Sequence, residues 1–207
     1  GRTWPASLAT AVQFEKRPGK LALLIADHPG FLVNRIILPY LLQAVTLFEH
    51  GGDPVAIDRS MLDFGMPMGP LRLLDEVGLD VAMNVAQTLS RAFPDRMSLP
   101  LLMEQVAREG HLGVKTGSGF YVYDERGPRP NPVALALRGP TEVLPDDLGL
   151  QLARTMVSES RRCLEDGVTE SPDDIDLAMI LGTGFPPFRG GPLRYGRDAG
   201  LLRPRRT

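Results

Sequence analysis

Two stretches of this chain carry the same pattern, and that repetition limits what the chain can fold into more than any other feature. Residues 41–70 read LLQAVTLFEHGGDPVAIDRSMLDFGMPMGP, and residues 157–192 read VSESRRCLEDGVTESPDDIDLAMILGTGFPPFRGGP. In each copy a helix-forming segment ends in Glu-X-Gly (Glu49 and Gly51; Glu165 and Gly167). A proline then opens a segment bearing Ile-Asp (Ile57-Asp58; Ile175-Asp176), and a turn rich in Gly and Pro closes the copy. One copy alone would leave an apolar face uncovered. Equal patterns have equal faces, and the simplest way to bury two equal faces is against each other, as in an isologous dimer. The sequence therefore predicts two related helical units packed about a pseudo-two-fold axis.

Apolar periodicity and turn residues divide the rest of the chain. A short helix is expected over 7–16, with Ser7 as its N-cap. Residues 20–26 form a continuous apolar run bounded by turn residues, which predicts a fully buried strand, the last of a sheet whose other strands lie elsewhere. A long helix follows Pro29-Gly30, with Phe31, Ile36, Leu38, Leu41, Leu42, Val45 and Phe48 at helical spacing and a kink expected at Pro39. Further helices are expected over 54–64, 70–77, 79–92, 100–108, 146–165, 172–181 and 192–197. The stretch 110–132 is rich in Gly, Pro and charge and reads as a brief extended piece followed by a linker.

Charge and composition exclude several roles. Lys and Arg total 23 against 25 Asp and Glu, a net charge of −2, which leaves no electrostatic footprint for nucleic acid. The basic tail of Arg203, Arg205 and Arg206 is too short to alter that and reads as a solvated terminus. No apolar stretch is long enough to span a membrane. The single cysteine, Cys163, sits in a helical apolar pattern and reads as a buried, inert thiol, consistent with a reducing compartment.

Signatures of chemistry are few. The chain has no Gly-X-Gly-X-X-Gly turn and no P-loop. His28, His50 and His111 match no zinc spacing and read as surface histidines beside turns. Residues 113–119 look like an anion-binding loop but follow a helix, the reverse of a phosphate site, so a structural turn is favoured. Asn34 is the polar residue that stands out, early in a long apolar helix where Asn is a mediocre helix former. Its amide can donate to a developing oxyanion or a thioester oxygen, or can serve as a local cap. Arg189 and Arg194, in the loop 183–195, can pair with phosphates or carboxylates, or with carbonyls and acidic neighbours.

Residues 27–81 carry Pro-Gly-Phe-X-Val-Asn-Arg (29–35), Phe-Gly-X-Pro-Met-Gly-Pro (64–70) and Asp-X-Val-Gly-Leu-Asp (75–80). This combination closely resembles the C-terminal domain of 3-hydroxyacyl-CoA dehydrogenases. Residues 110–123 resemble the Lys-X-Gly-X-Gly-Phe-Tyr segment that follows in that family. Residues 182–195 are similar to the second helical repeat of the multifunctional β-oxidation α-subunits, which join an enoyl-CoA hydratase to this dehydrogenase. One departure is Ser158-Glu159-Ser160, where many members have Asn-Glu-Ala; it is expected to bear on packing.

The resemblance implies an all-α fold of two related helical units, like the C-terminal part of 6-phosphogluconate dehydrogenase, with a short Rossmann-domain vestige at the start. It assigns residues 1–29 to the tail of an NAD-binding domain, 30–130 to the first repeat and 131–207 to a second, shorter one. NAD and the His–Glu acid/base pair would belong to that preceding domain, with no catalytic, cofactor or metal residue in this chain. By the family match, Asn34 touches the reacting end of the substrate and Tyr195 borders its site. The expected partners are a 3-hydroxyacyl-CoA, the chain's own Rossmann domain and a thiolase β-subunit, in the cytoplasm of a bacterium. Two rival readings are a non-catalytic helical assembly module and a dehydrogenase of small hydroxy acids. The second repeat argues against the latter.

Overall fold

The computed structural model describes residues 4–16, 22–140 and 142–202. Ten α-helices account for most of them: α1 (Pro5–Lys16), α2 (Val33–Glu49), α3 (Pro54–Phe64), α4 (Pro70–Val77), α5 (Leu79–Ala92), α6 (Leu101–Arg108), α7 (Pro132–Ala136), α8 (Leu148–Glu165), α9 (Pro172–Thr183) and α10 (Pro192–Asp198). The sheet content is one antiparallel pair, β1 (Tyr121–Val122) with β2 (Arg129–Pro130), in which Tyr121 faces Pro130. The fold is all-α, as the sequence predicts.

Proline and a capping side chain set most helix starts. Proline opens α3, α4, α9 and α10, where its missing N–H costs nothing and its φ suits the first turn. The Asp53 carboxylate accepts from Val55 and Ala56 N–H, Asp147 from Leu150 N–H, and Ser171 Oγ from Asp174 N–H. The starts of α4 and α10 have glycine at the cap and no cap of their own. Each is served instead from the preceding helix of its copy. Asp58 on α3 accepts from Leu71 and Arg72 N–H at 2.8 and 3.2 Å. Asp176 on α9 accepts from Leu193 and Arg194 N–H at 2.7 and 3.1 Å. A Cβ on Gly69 would lie 2.3 Å from Asp58, and one on Gly191 2.2 Å from Asp176, so neither turn has room for a side chain.

The core is built around α2. Ile36, Tyr40, Ala44, Val45 and Phe48 are fully buried on it, and Leu152, Met156 and Cys163 of α8 belong to the same cluster. The packing between the copies is reciprocal: α2 lies along α8, α3 packs on α8, and α9 packs on α2. Within each copy, α4 covers α2 and α3 as α10 covers α8 and α9. This exchange of equivalent partners is the pattern of an isologous contact, here within one chain.

Several expectations are corrected. Residues 22–28 are extended but pair with no strand among the described residues, and Leu24 is 55% exposed, so the segment is not a buried strand; Lys20 and Leu21 lie outside the described residues. Leu23 and Ile25 alone pack on the core, and Ala26 N–H donates to the Val168 carbonyl at 2.8 Å. An apolar run reads as a buried strand only when a sheet exists to receive it. Helix α1 begins at Pro5, so Ser7 lies inside it and is no cap. The helix α2 continues through Pro39, although the proline leaves the Arg35 carbonyl without its i+4 donor. Residues 110–132 are not a linker. The Asp75 carboxylate accepts from Phe120 and Tyr121 N–H (2.8 and 2.9 Å) and from the Tyr123 hydroxyl (2.8 Å), which ties the hairpin to α4. The tail residues Arg203, Arg205 and Arg206 lie outside the described residues.

Candidate functional site

Asn34 is the second residue of α2 and is exposed. The cap position before it, Leu32, makes no side-chain bond, and the Asn34 amide has no hydrogen-bond partner among the described residues, so it is not serving as a cap. The chain reaches it through a forced turn. Gly30 has φ +76, and a Cβ there would sit 2.6 Å from the Leu89 side chain. Phe31 follows with φ +52, a conformation that costs a non-glycine residue energy and tends to be kept where it does something. The turn pushes the Phe31 ring outward, 57% exposed.

Beside this turn is a shallow cleft of about 210 Å³, lined by Leu23, Ile25, Phe31, Val33, Asn34 and, from α9, Ala178. Among the described residues Asn34 is the one polar side chain in that lining, and no His, Asp, Glu, Lys or Cys lines it. Such a surface can hold an apolar group and orient a carbonyl or hydroxyl oxygen. Among the described residues its lining holds no group to exchange a proton.

Tyr195 is not part of that cleft. It is half-buried on α10, edge-on to Phe64 with ring centroids 5.0 Å apart, and 6.5 Å from Phe185. The Arg189 guanidinium lies over the Phe64 ring at 4.1 Å and over Tyr195 at 5.1 Å, and its Nε donates to the Phe64 carbonyl at 2.8 Å. Arg194 is 4.0 Å from Asp198. Both arginines thus have ordinary structural partners. A separate groove of about 590 Å³ runs past Phe188, Arg189, Arg194 and Tyr195. Sequence reasoning joined Asn34 and Tyr195 in one site; the structure puts them in two depressions.

The loop 113–119 already has an anion in place. A Cβ on Gly119 would meet Asp75 Oδ1 at 2.0 Å, and one on Gly113 would meet the Asp75 carbonyl oxygen at 2.1 Å. The N–H groups that follow are spent on Asp75. Among the described residues there is no parallel strand pair. No cluster of metal-ligating side chains occurs among the described residues. His111 Nδ1 is 2.6 Å from Ser118 Oγ and His50 is 3.5 Å from Glu142, so these two histidines, though half-buried, hold local contacts.

A group that sequence reasoning missed sits one residue past Asn34. Arg35 is fully buried, its Nε 3.0 Å from Glu159 Oε1 and its Nη2 bonded to Asp166. Arg35 and then Arg96 hold the Asp166 carboxyl below the usual carboxylate range. Burial pushes the neighbouring Cys163 thiol up to about 12, which keeps it protonated and unreactive. The signal was present in the sequence as an Arg and a Glu inside apolar helical patterns.

Comparison with known proteins places part of the chain in a family. The model of the 3-hydroxyacyl-CoA dehydrogenase C-terminal domain matches residues 30–123. Those residues belong to that domain family. The chain is 40% identical over 209 aligned residues to a protein named fatty acid oxidation complex subunit alpha from Psychrobacter arcticus; the match spans 94% of this chain and 29% of that protein. The chain spans under a third of the length of these relatives. A crystal structure of 3-hydroxybutyryl-CoA dehydrogenase from Escherichia coli shares the fold across 95% of this chain and 58% of its own, with TM-score 0.79 and 23% identity. The (S)-3-hydroxybutyryl-CoA dehydrogenase of Ralstonia eutropha matches 60% of this chain and 45% of its own at 35% identity, with TM-score 0.58.

Proposed function

We propose that this chain is the substrate-binding and assembly region of an NAD-dependent (3S)-3-hydroxyacyl-CoA dehydrogenase of bacterial fatty-acid β-oxidation, of the kind fused to an enoyl-CoA hydratase. Residues 1–29 are the tail of the NAD-binding domain, 30–130 the first C-terminal repeat and 131–207 the second. NAD and the proton-exchanging residues lie outside this chain, which on its own is inactive. The assembled protein is cytoplasmic; its partners are the acyl-CoA, its own NAD-binding domain and a thiolase β-subunit.

One observation carries this reading. Among the described residues Asn34 is exposed and unpartnered in an otherwise apolar cleft, beside a backbone strained at Phe31. An amide donor set among apolar walls suits a substrate whose reacting end is a C3 oxygen on a hydrocarbon chain: Asn34 orients the oxygen and the walls take the carbon. The support for Tyr195 is thinner. Its ring is engaged in packing, and its contribution is to shape the neighbouring groove, with Arg189 stacked on it.

The complete protein, assayed by NADH oxidation on acetoacetyl-CoA, should turn over. The isolated 207-residue chain should show neither turnover nor micromolar NADH affinity by calorimetry. Micromolar affinity or turnover in the isolated chain would move the chemistry into it. A complete protein inert on every 3-oxoacyl-CoA tried would refute the reading.

A further inference from the structure

We infer that Glu159, on α8, is a positioning residue for Asn34: from the second copy of the repeat it grips Arg35 and so fixes the first turn of α2. The inference rests on the reading of Asn34 as the substrate contact. Successive helix residues point about 100° apart, so Asn34 opens into the cleft while Arg35 turns inward and is fully buried. The Arg35 guanidinium is held on three sides. Its Nε donates to Glu159 at 3.0 Å, its Nη2 donates to Asp166, and its Cζ lies over the Phe93 ring, 4.3 Å from the centroid. Glu159 is itself pinned, 2% exposed, with Arg162 Nη1 on its other oxygen at 3.2 Å. Arg96 braces the same pair, 2.9 Å from Asp166 and 3.9 Å from Glu159.

Leu32 and Ile36 seat the entry to α2 in the core by apolar contact, but its polar anchoring is sparse. Leu32 provides no cap, and the preceding turn is closed by the Phe31 N–H bond to the His28 carbonyl at 2.9 Å. The directional hold on the turn bearing Asn34 comes through Arg35, from carboxylates at Glu159 and Asp166. The same copy supplies Ala178 to the cleft wall. A bidentate or stacked guanidinium is a rigid pin, which a flexible ammonium would not be. Misplacing a reacting group by about 1 Å from a distance can cost ~10²-fold in rate.

The test uses Glu159→Gln and the apolar pair Arg35→Met with Glu159→Leu. Removing one partner leaves a buried charge, whereas replacing both with apolar residues of similar volume is often tolerated. In the complete dehydrogenase, Glu159→Gln should lower kcat by roughly tenfold or more with KM for acetoacetyl-CoA little changed. In this chain alone it should shift the Asn34 side-chain amide resonance and speed hydrogen exchange at residues 33–36. The apolar pair should restore thermal stability without restoring kcat. Wild-type kcat in the stably folded pair, or an unmoved Asn34 resonance in Glu159→Gln, would overturn the proposal and leave Glu159 as packing. Should the pair not fold, the resonance and exchange measurements on Glu159→Gln still decide. An Asn34→Ala enzyme with unchanged kinetics would overturn the underlying reading; a crippled Asn34→Ala beside a normal Glu159→Gln would overturn the positioning role alone.

Discussion

In the first copy of the repeat Asp58 receives the N–H groups of Leu71 and Arg72, and in the second Asp176 receives those of Leu193 and Arg194. In both, a glycine before the proline lets the helix start come within reach of the carboxylate. Five residues past that proline the copies diverge. The first has Asp75, 1% exposed, which takes two N–H groups and a hydroxyl from the segment 120–123 and anchors the hairpin. The second has Arg197, exposed, and no hairpin follows among the described residues. Of the shared elements, α2, α3, α8 and α9 pack across the copies, while α4 and α10 cover their own. One carboxylate marks the point where the first copy goes on to build α5, α6 and α7 around a pinned loop.

The comparison breaks hardest at that position. Asp75→Ala leaves the Phe120 and Tyr121 N–H groups buried without an acceptor, and should destabilise the chain by roughly 2–4 kcal/mol, about 1–3 for each orphaned donor less some relaxation. Arg197→Ala should change stability by no more than about 0.5 kcal/mol, as exposed substitutions do. Denaturant midpoints of the two variants measure this directly, and similar losses would mean that Asp75 is not the anchor.

The glycines sharpen it. Gly69→Ala and Gly191→Ala both drive a methyl into an aspartate, but Gly69 has φ −68 and Gly191 has φ +99. The second change adds backbone strain of about 1–2 kcal/mol to a similar clash. Gly191→Ala should therefore lower Tm further than Gly69→Ala, as thermal melts would show.

Acid should separate the buried aspartates from the ion pair. Burial pushes Asp58 and Asp75 up to about 6, against 3.8 for an ordinary Asp, despite the N–H donors that pull the other way. A carboxyl raised on folding takes up a proton in the native state before it does so in the unfolded chain. Stability therefore rises as pH falls through 6 toward 4 and is lost as pH rises again, by on the order of 1–3 kcal/mol per group. Asp166 has the opposite sign: held low by Arg35 and Arg96, its contribution is present above the ordinary carboxylate range and goes only below it. Unfolding free energies at pH 7 and 4.5 should show a gain on acidification that shrinks in Asp58→Asn and in Asp75→Asn. A loss between those two pH values would contradict these positions.

Most helices were legible because proline and glycine punctuate them: α3, α4 and α5 fall where the sequence predicts them. The same residues misled over 110–132. Glycines there read as slack, yet Gly113 and Gly119 are glycine because Asp75 fills the space of a side chain. The extended segment 22–28 was misread for want of a sheet to judge it by. The site was legible only in part. Asn34 stood out by residue type and by resemblance, whereas Tyr195 lines a different depression, which no local pattern reveals. The grip of Glu159 on Arg35 spans 124 residues of chain and is beyond any local reading.

The smallest expected effect on stability is also the largest on function. Asn34 is exposed and makes no side-chain hydrogen bond among the described residues, so Asn34→Ala should leave the unfolding free energy unchanged within about 0.5 kcal/mol. In the complete protein, steady-state kinetics with acetoacetyl-CoA and NADH should show kcat/KM lower by ~10²–10³, the usual cost of one lost hydrogen bond to a reacting oxygen, with NADH affinity unaltered. Unchanged kinetics in that variant would contradict the claim that this chain presents Asn34 to the substrate.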